Sequence, residues 1–113
     1  MQIQLIAPDR PDIGLSDPKP GRSIIGWADD LVQLADHLGL DKFAVLGISG
    51  GGVYAAVCGY ALHDRITKVG IGAAPAPLDL PNILDGLLPV YRLGWQGYAK
   101  FPCSLCIIVS SRS

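Results

Sequence analysis

The sequence predicts an α/β fold with about three parallel strands and flanking helices, and three observations carry that expectation. Short apolar runs at residues 3–7, 42–48 and 66–72 alternate with two segments of helical length, the order produced by parallel strands joined through crossover helices. The central run, Phe43-Ala44-Val45-Leu46, is apolar without alternation, which suits a strand covered on both faces. A glycine-rich turn then leads from that run straight into the second helical segment.

Taken in order, the first run ends at Pro8-Asp9, and residues 9–21 hold turn formers throughout, which marks a loop. Ser23 stands where a helix cap belongs. Ile24, Ala28, Leu31, Ala35 and Leu38 follow at helical spacing, with Asp29, Asp30, Gln33 and Asp36 off that stripe. Gly39 closes the pattern at a C-terminal cap position. Residues 50–62 are rich in glycine and alanine and apolar almost all round, as expected of a helix lying close against a sheet. His63-Asp64-Arg65 breaks that pattern before the third run. Beyond Ala74, Pro75, Pro77, Pro81 and Pro89 punctuate the chain around a short helical candidate at residues 83–88. Residues 103–113 have the composition of one more strand.

Composition narrows the functional classes. The 113 residues are half hydrophobic and 17% charged, with a formal net charge of -1, so no basic face is offered to a phosphate backbone and no nucleic-acid partner is expected. No apolar run approaches the roughly 18 residues of a membrane span, and the first residues lack the basic start and apolar stretch of a secretory signal. Cytoplasmic location without membrane association is the expectation. Cys58 lies in the apolar helical pattern and reads as a small buried hydrophobe. Cys103 and Cys106 form a lone C-x-x-C without a second pair or nearby histidines, half of what a zinc site needs. No metal and no cofactor are expected.

Gly47-Ile48-Ser49-Gly50-Gly51 sits between an expected strand and an expected helix, the context in which G-x-S-x-G forms a nucleophile elbow. For a serine hydroxyl to stand clear of the sheet, the backbone must turn sharply, and Ser49 is expected in a strained conformation. Gly47 and Gly51 come too close together for side chains, and the Gly50 amide at the helix start faces the place where an oxyanion would form. Gly50-Gly51-Gly52-Val53-Tyr54-Ala55 also fits a dinucleotide fingerprint, but Gly70-Ile71-Gly72-Ala73-Ala74 lacks the acid that this requires. A phosphate-binding loop needs a lysine that is absent. Glycines merely packing helix on strand, with Ser49 incidental, remain an alternative. His37 and His63 read as surface or helix-end residues, and Asp64, Asp79 and Asp85 as cap, turn and loop residues.

Three blocks then carry a family resemblance: Ala7-Pro8-Asp9-Arg10-Pro11-Asp12-Ile13-Gly14-Leu15-Ser16-Asp17-Pro18, Leu46-Gly47-Ile48-Ser49-Gly50-Gly51-Gly52, and Asp64-Arg65-Ile66. Residues 5–75 resemble the middle of an α/β-hydrolase fold protein of the proline iminopeptidase and epoxide hydrolase branch. Where that family usually has glycine the chain has Asp12, a residue tolerant of left-handed backbone. The resemblance implies a partial α/β-hydrolase core at 1–75, the start of a cap region at 76–102 and a divergent tail at 103–113. It makes Ser49 the nucleophile and Gly50 the donor of one oxyanion amide, acting on an ester, amide or related bond of a small-molecule substrate.

The same resemblance puts the acid and histidine of the triad past Ser113 and the second oxyanion amide upstream of Met1. It also leaves an inner strand position empty, with two unpaired inner edges. The chain is therefore expected to be nearly inactive alone. The alternative is a non-catalytic module that associates, with itself or a full-length relative, through exposed strand edges.

Overall fold

The computed structural model describes residues 2–75, 81–82, 85, 88–90, 93 and 104–112. Among these the chain order is β1 (Gln2–Ile6), α1 (Trp27–His37), β2 (Phe43–Ser49), α2 (Gly51–Ala61), β3 (Ile66–Gly72) and β4 (Ser104–Arg112). The helical candidate at 83–88 falls largely outside the described residues; Pro81 and Asn82 form a turn, and Pro89, Val90 and Leu93 are helical.

Each helix forms for a reason visible in its residues. In α1 the buried positions are Trp27, Ala28, Leu31 and Ala35, one stripe at helical spacing. The helix starts later than expected. Ser23 Oγ accepts the Gly26 N–H at 3.0 Å and so closes a turn that precedes α1, leaving Ile24 46% exposed instead of on the buried stripe. The far end follows expectation: Gly39 is left-handed at φ +69, Leu40 N–H bonds Ala35 O and Gly39 N–H bonds Asp36 O. That pair of bonds satisfies carbonyls the helix would otherwise leave open. In α2 the buried residues are Gly51, Gly52, Ala55 and Cys58, whereas Tyr60 on the outer side is 80% exposed. The helix is apolar all round yet buried on one side only.

The sheet has four strands in the order β1-β4-β2-β3. Only β2 and β3 are parallel neighbours; β4 runs antiparallel to both β1 and β2. The expected α/β character is present, but the expectation of about three parallel strands is corrected to a mixed sheet. So is the expectation of two unpaired inner edges. β4 fills the inner position, with Leu5↔Val109 and Gln4↔Ser110 on one side and Val45↔Ile108 and Gly47↔Cys106 on the other. The 103–113 segment is an integral part of the sheet over residues 104–112.

Both helices lie on one face. There Trp27, Leu31, Ala35, Phe43, Val45, Ala55, Cys58, Cys106 and Ile108 form the core. β2 is therefore covered on one side, with Phe43, Val45 and Gly47 buried and Ala44 and Leu46 only partly so. The opposite face carries Ile3, Leu5 and Ile48 at 62%, 66% and 41% exposure, and no described helix packs over it. At the lower end, Arg65 ties the two helix–strand connections together. Its Nη2 donates to Leu40 O at 2.6 Å and Asp36 Oδ1 at 2.9 Å, and its Nε donates to Asp41 O.

Ile108 is fully buried at the centre of the strand that joins both halves of the sheet. Ile108→Ala should lower unfolding free energy by about 2–5 kcal/mol, a large share of the roughly 5–15 kcal/mol typical of a domain. Ile3→Ala on the open face should stay within about 0.5 kcal/mol. Denaturant unfolding of both variants checks this, and equal effects would refute the one-sided core.

Candidate functional site

The elbow is built by β2 and α2. Ser49 is the last residue of β2, and α2 begins two residues later behind a Gly50 cap. Ser49 takes φ +54, a left-handed conformation that costs a side-chain-bearing residue about 1–3 kcal/mol. Its side chain is exposed, while Gly47 and Gly50 on either side are buried. A Cβ built on Gly47 would lie 2.2 Å from Gly51 O and 2.7 Å from Gly52 N, so the backbone of the helix start rests directly on the strand. On Gly52 a Cβ would meet Ala74 Cβ at 2.4 Å and Ile71 Cγ2 at 2.8 Å. These glycines let α2 sink against the ends of β2 and β3, and that contact holds the turn in place. The first-turn amides of α2 have no intrahelical acceptors and put the positive end of the helix beside the hydroxyl.

The two histidines are elsewhere. His37 ends α1 and is joined by a short link to the start of β2, so the seven-residue strand separates it from Ser49 by about 20 Å. His63 lies past the C-terminal end of α2, about 16 Å or more from the elbow along the helix. There it faces Asp64 at 3.3 Å with both side chains largely exposed. Among the described residues no side chain hydrogen-bonds to Ser49. Asp12 of the loop after β1 pairs with Arg22 at 2.9 Å, and Asp30 of α1 pairs with the loop's Lys19 at 2.7 Å. Asp12 is left-handed at φ +65, the conformation its place in the loop motif led one to expect.

A cluster that the sequence reading did not single out joins this loop to α2. Arg10 is 6% exposed, and its guanidinium lies 4.0 Å from the centroid of the Tyr54 ring. Trp27 meets the same ring edge-on at 6.4 Å. In the sequence Arg10 appeared only as a member of the loop motif and Tyr54 only within the glycine-rich start of α2, while Trp27 carried no signal of its own. Their meeting is a tertiary fact with no short-range signal.

Behind the elbow the sheet buries two thiols, Cys58 and Cys106, both free. Burial pushes Cys58 up from 9.0 to about 12, and the neighbouring Cys106 adds to the rise. Burial also raises Cys106, against the opposing pull of the Trp27 indole and the Arg10 guanidinium. Neither thiol is a nucleophile near neutral pH. Cys103, the other half of the C-x-x-C, lies outside the described residues. Among the described residues no group of three or more His, Cys, Asp or Glu side chains is placed to hold a metal ion, and no helix is long and apolar enough to cross a membrane.

No protein-family model, curated protein or solved structure matches the chain.

The thiols set a pH dependence. Because the folded Cys58 titrates near 12 instead of 9.0, the unfolded chain holds fewer protons between those values. The stabilisation is complete below about pH 9 and is lost as pH rises toward 12, with a limiting slope of about 1.4 kcal/mol per pH unit for one thiol. Denaturant unfolding across that interval should show the decline. Cys58→Ala should flatten it, and an unchanged slope in that variant would refute the assignment.

Proposed function

We propose that this chain carries the nucleophile of an α/β-hydrolase-type serine hydrolase, with Ser49 attacking an ester, amide or related carbonyl. The observation that carries the reading is the distribution of residues in the elbow. Glycine occupies Gly47 and Gly52, where no Cβ fits, whereas the one left-handed residue of the turn is the exposed Ser49. A turn serving only to reverse the chain is cheapest with glycine at that position. In the proposed chemistry Ser49 Oγ adds to the carbonyl carbon and the Gly50 amide helps to hold the developing oxyanion. An acyl-enzyme forms as the leaving group departs with a proton.

The described residues bring no base to Ser49, so the proton has no local acceptor and this chain alone should turn over poorly. Loss of triad partners costs on the order of 10⁶ in kcat. The substrate of this reading is a small molecule.

The alternative of association through strand edges rests on what β4 leaves open. With the inner position filled, the outer edges of β1 and β3 remain unpaired among the described residues, and an unpaired edge is a template for another strand.

A fluorophosphonate probe tests the elbow. It should modify Ser49 in preference to every other serine, at a rate orders of magnitude below that of a complete triad, and Ser49→Ala should abolish the modification. Indiscriminate labelling would remove the support for a nucleophile, and rapid labelling would overturn the claim that a base is lacking. Light scattering after size exclusion addresses the edges: association predicts a dimer that grows with concentration, and a monomer at all concentrations would end that reading.

A further inference from the structure

A cavity lies between the loop after β1, the start of α1 and α2. Its volume is about 240 Å³, and its walls include Arg10, Arg22, Ser23, Ile24, Trp27 and Tyr54. That is below the roughly 300–1,000 Å³ of drug-sized sites and suits a small ligand or one end group.

We propose that this cavity binds a carboxylate carried on a small apolar body. Two arginines line it, Arg10 buried and Arg22 half exposed. Arg10 is held by its stacking on Tyr54, and a buried cation is screened less by salt than one at the open surface. Arg22 is half exposed. Its Nη1 serves Pro11 O and the Asp12 carboxylate, which meets part of its charge, so what Arg22 offers a ligand is the Nε and Nη2 donors, which hold no partner among the described residues. A guanidinium offers five N–H donors in a planar fork, so Arg22 keeps donors with which to receive a carboxylate. Ser23 adds a hydroxyl. It accepts the Gly26 N–H, which leaves its own proton to donate. One carboxylate, Asp30, also reaches the cavity, but it is bonded to Lys19 at 2.7 Å and its charge is met there. Ile24, Trp27 and Tyr54 supply an apolar and aromatic wall for the body of the ligand. A fully hydrated inorganic anion gains little from that wall, so the pairing of forked donors with aromatic surface selects an organic carboxylate.

This assignment stands apart from the role of Ser49, and Ser49→Ala should leave it intact. Titrations with benzoate, benzamide and inorganic phosphate, followed by amide and indole NMR signals of the full chain, test it. Benzoate should give saturable shifts at Ser23, Tyr54 and the Trp27 indole, benzamide should bind at least fivefold more weakly, and phosphate should not compete. Arg22 is exposed, so Arg22→Gln should keep the unfolding midpoint and weaken benzoate at least fivefold, with Arg22→Lys restoring only part of the loss. Absence of saturable benzoate shifts overturns the proposal. So does equal binding of benzamide, competition by phosphate, or unchanged affinity in Arg22→Gln.

Discussion

The structure depends on one act of pairing, the insertion of β4 between β1 and β2. Among the described strands β1 pairs with β4 alone, through the ladder from Gln2↔Arg112 to Ile6↔Ile108, and only Ile6 of this strand packs against the core. On the other side β4 pairs with β2 from Ala44↔Val109 to Ser49↔Ser104. Cys106 and Ile108 from the same strand sit inside the core beneath α2. Removing β4 would therefore unpair two strand edges and expose the centre of the core together. Bringing it into place closes the connection of 31 residues between Gly72 and Ser104, at an entropic cost of about 3 kcal/mol beyond a constant term. Each ladder bond contributes a net of only about 0.5–1.5 kcal/mol. Pairing on two edges combined with burial is what makes the closure favourable.

That pairing also explains why both helices share a face. The chain passes from β1 over β4 to β2 and then to β3, always in one direction across the sheet. Crossovers of a single hand that progress in one direction put their helices on the same side. The consequence is an apolar far face at Ile3, Leu5 and Ile48 and a core concentrated where α1, α2 and the middle strands meet.

How far the sequence reached can be judged strand by strand. Ala28, Leu31 and Ala35 with Gly39 behind them defined α1 because the helical period and the left-handed stop are local properties. The elbow was legible for the same reason, since Gly47, Ser49 and their neighbours meet within six residues. The position of β4 was not. Cys106-Ile107-Ile108-Val109 announces a strand, but which edges β4 pairs with, and in which direction, is fixed by partners 55 to 110 positions away. The apolar run Phe43-Ala44-Val45-Leu46 likewise suggested cover on both faces, whereas Ala44 and Leu46 remain partly exposed. An apolar residue can face solvent at modest cost, so its presence does not guarantee a partner. Ile24 misled in the same way: it fitted the stripe of α1, but the Ser23–Gly26 turn outbid an extra helical turn.

Strain alone does not mark a functional residue, and the elbow's neighbour shows why. Ala73, just past the end of β3, is also left-handed at φ +49, and its methyl group has no chemistry. Both residues follow paired strand ends, Ile48 and Gly72, and both precede the place where Ala74 closes onto Gly52. The pressure of α2 on the sheet is thus sufficient to hold either turn. What separates Ser49 is the combination of an exposed hydroxyl, the amide-bearing end of a helix beside it, and glycines placed for close approach instead of for backbone freedom. Ala73 shares only the backbone. The case for a nucleophile accordingly rests on the chemistry presented at the strained position, and the strain itself is a by-product of seating α2 so closely on the strand ends.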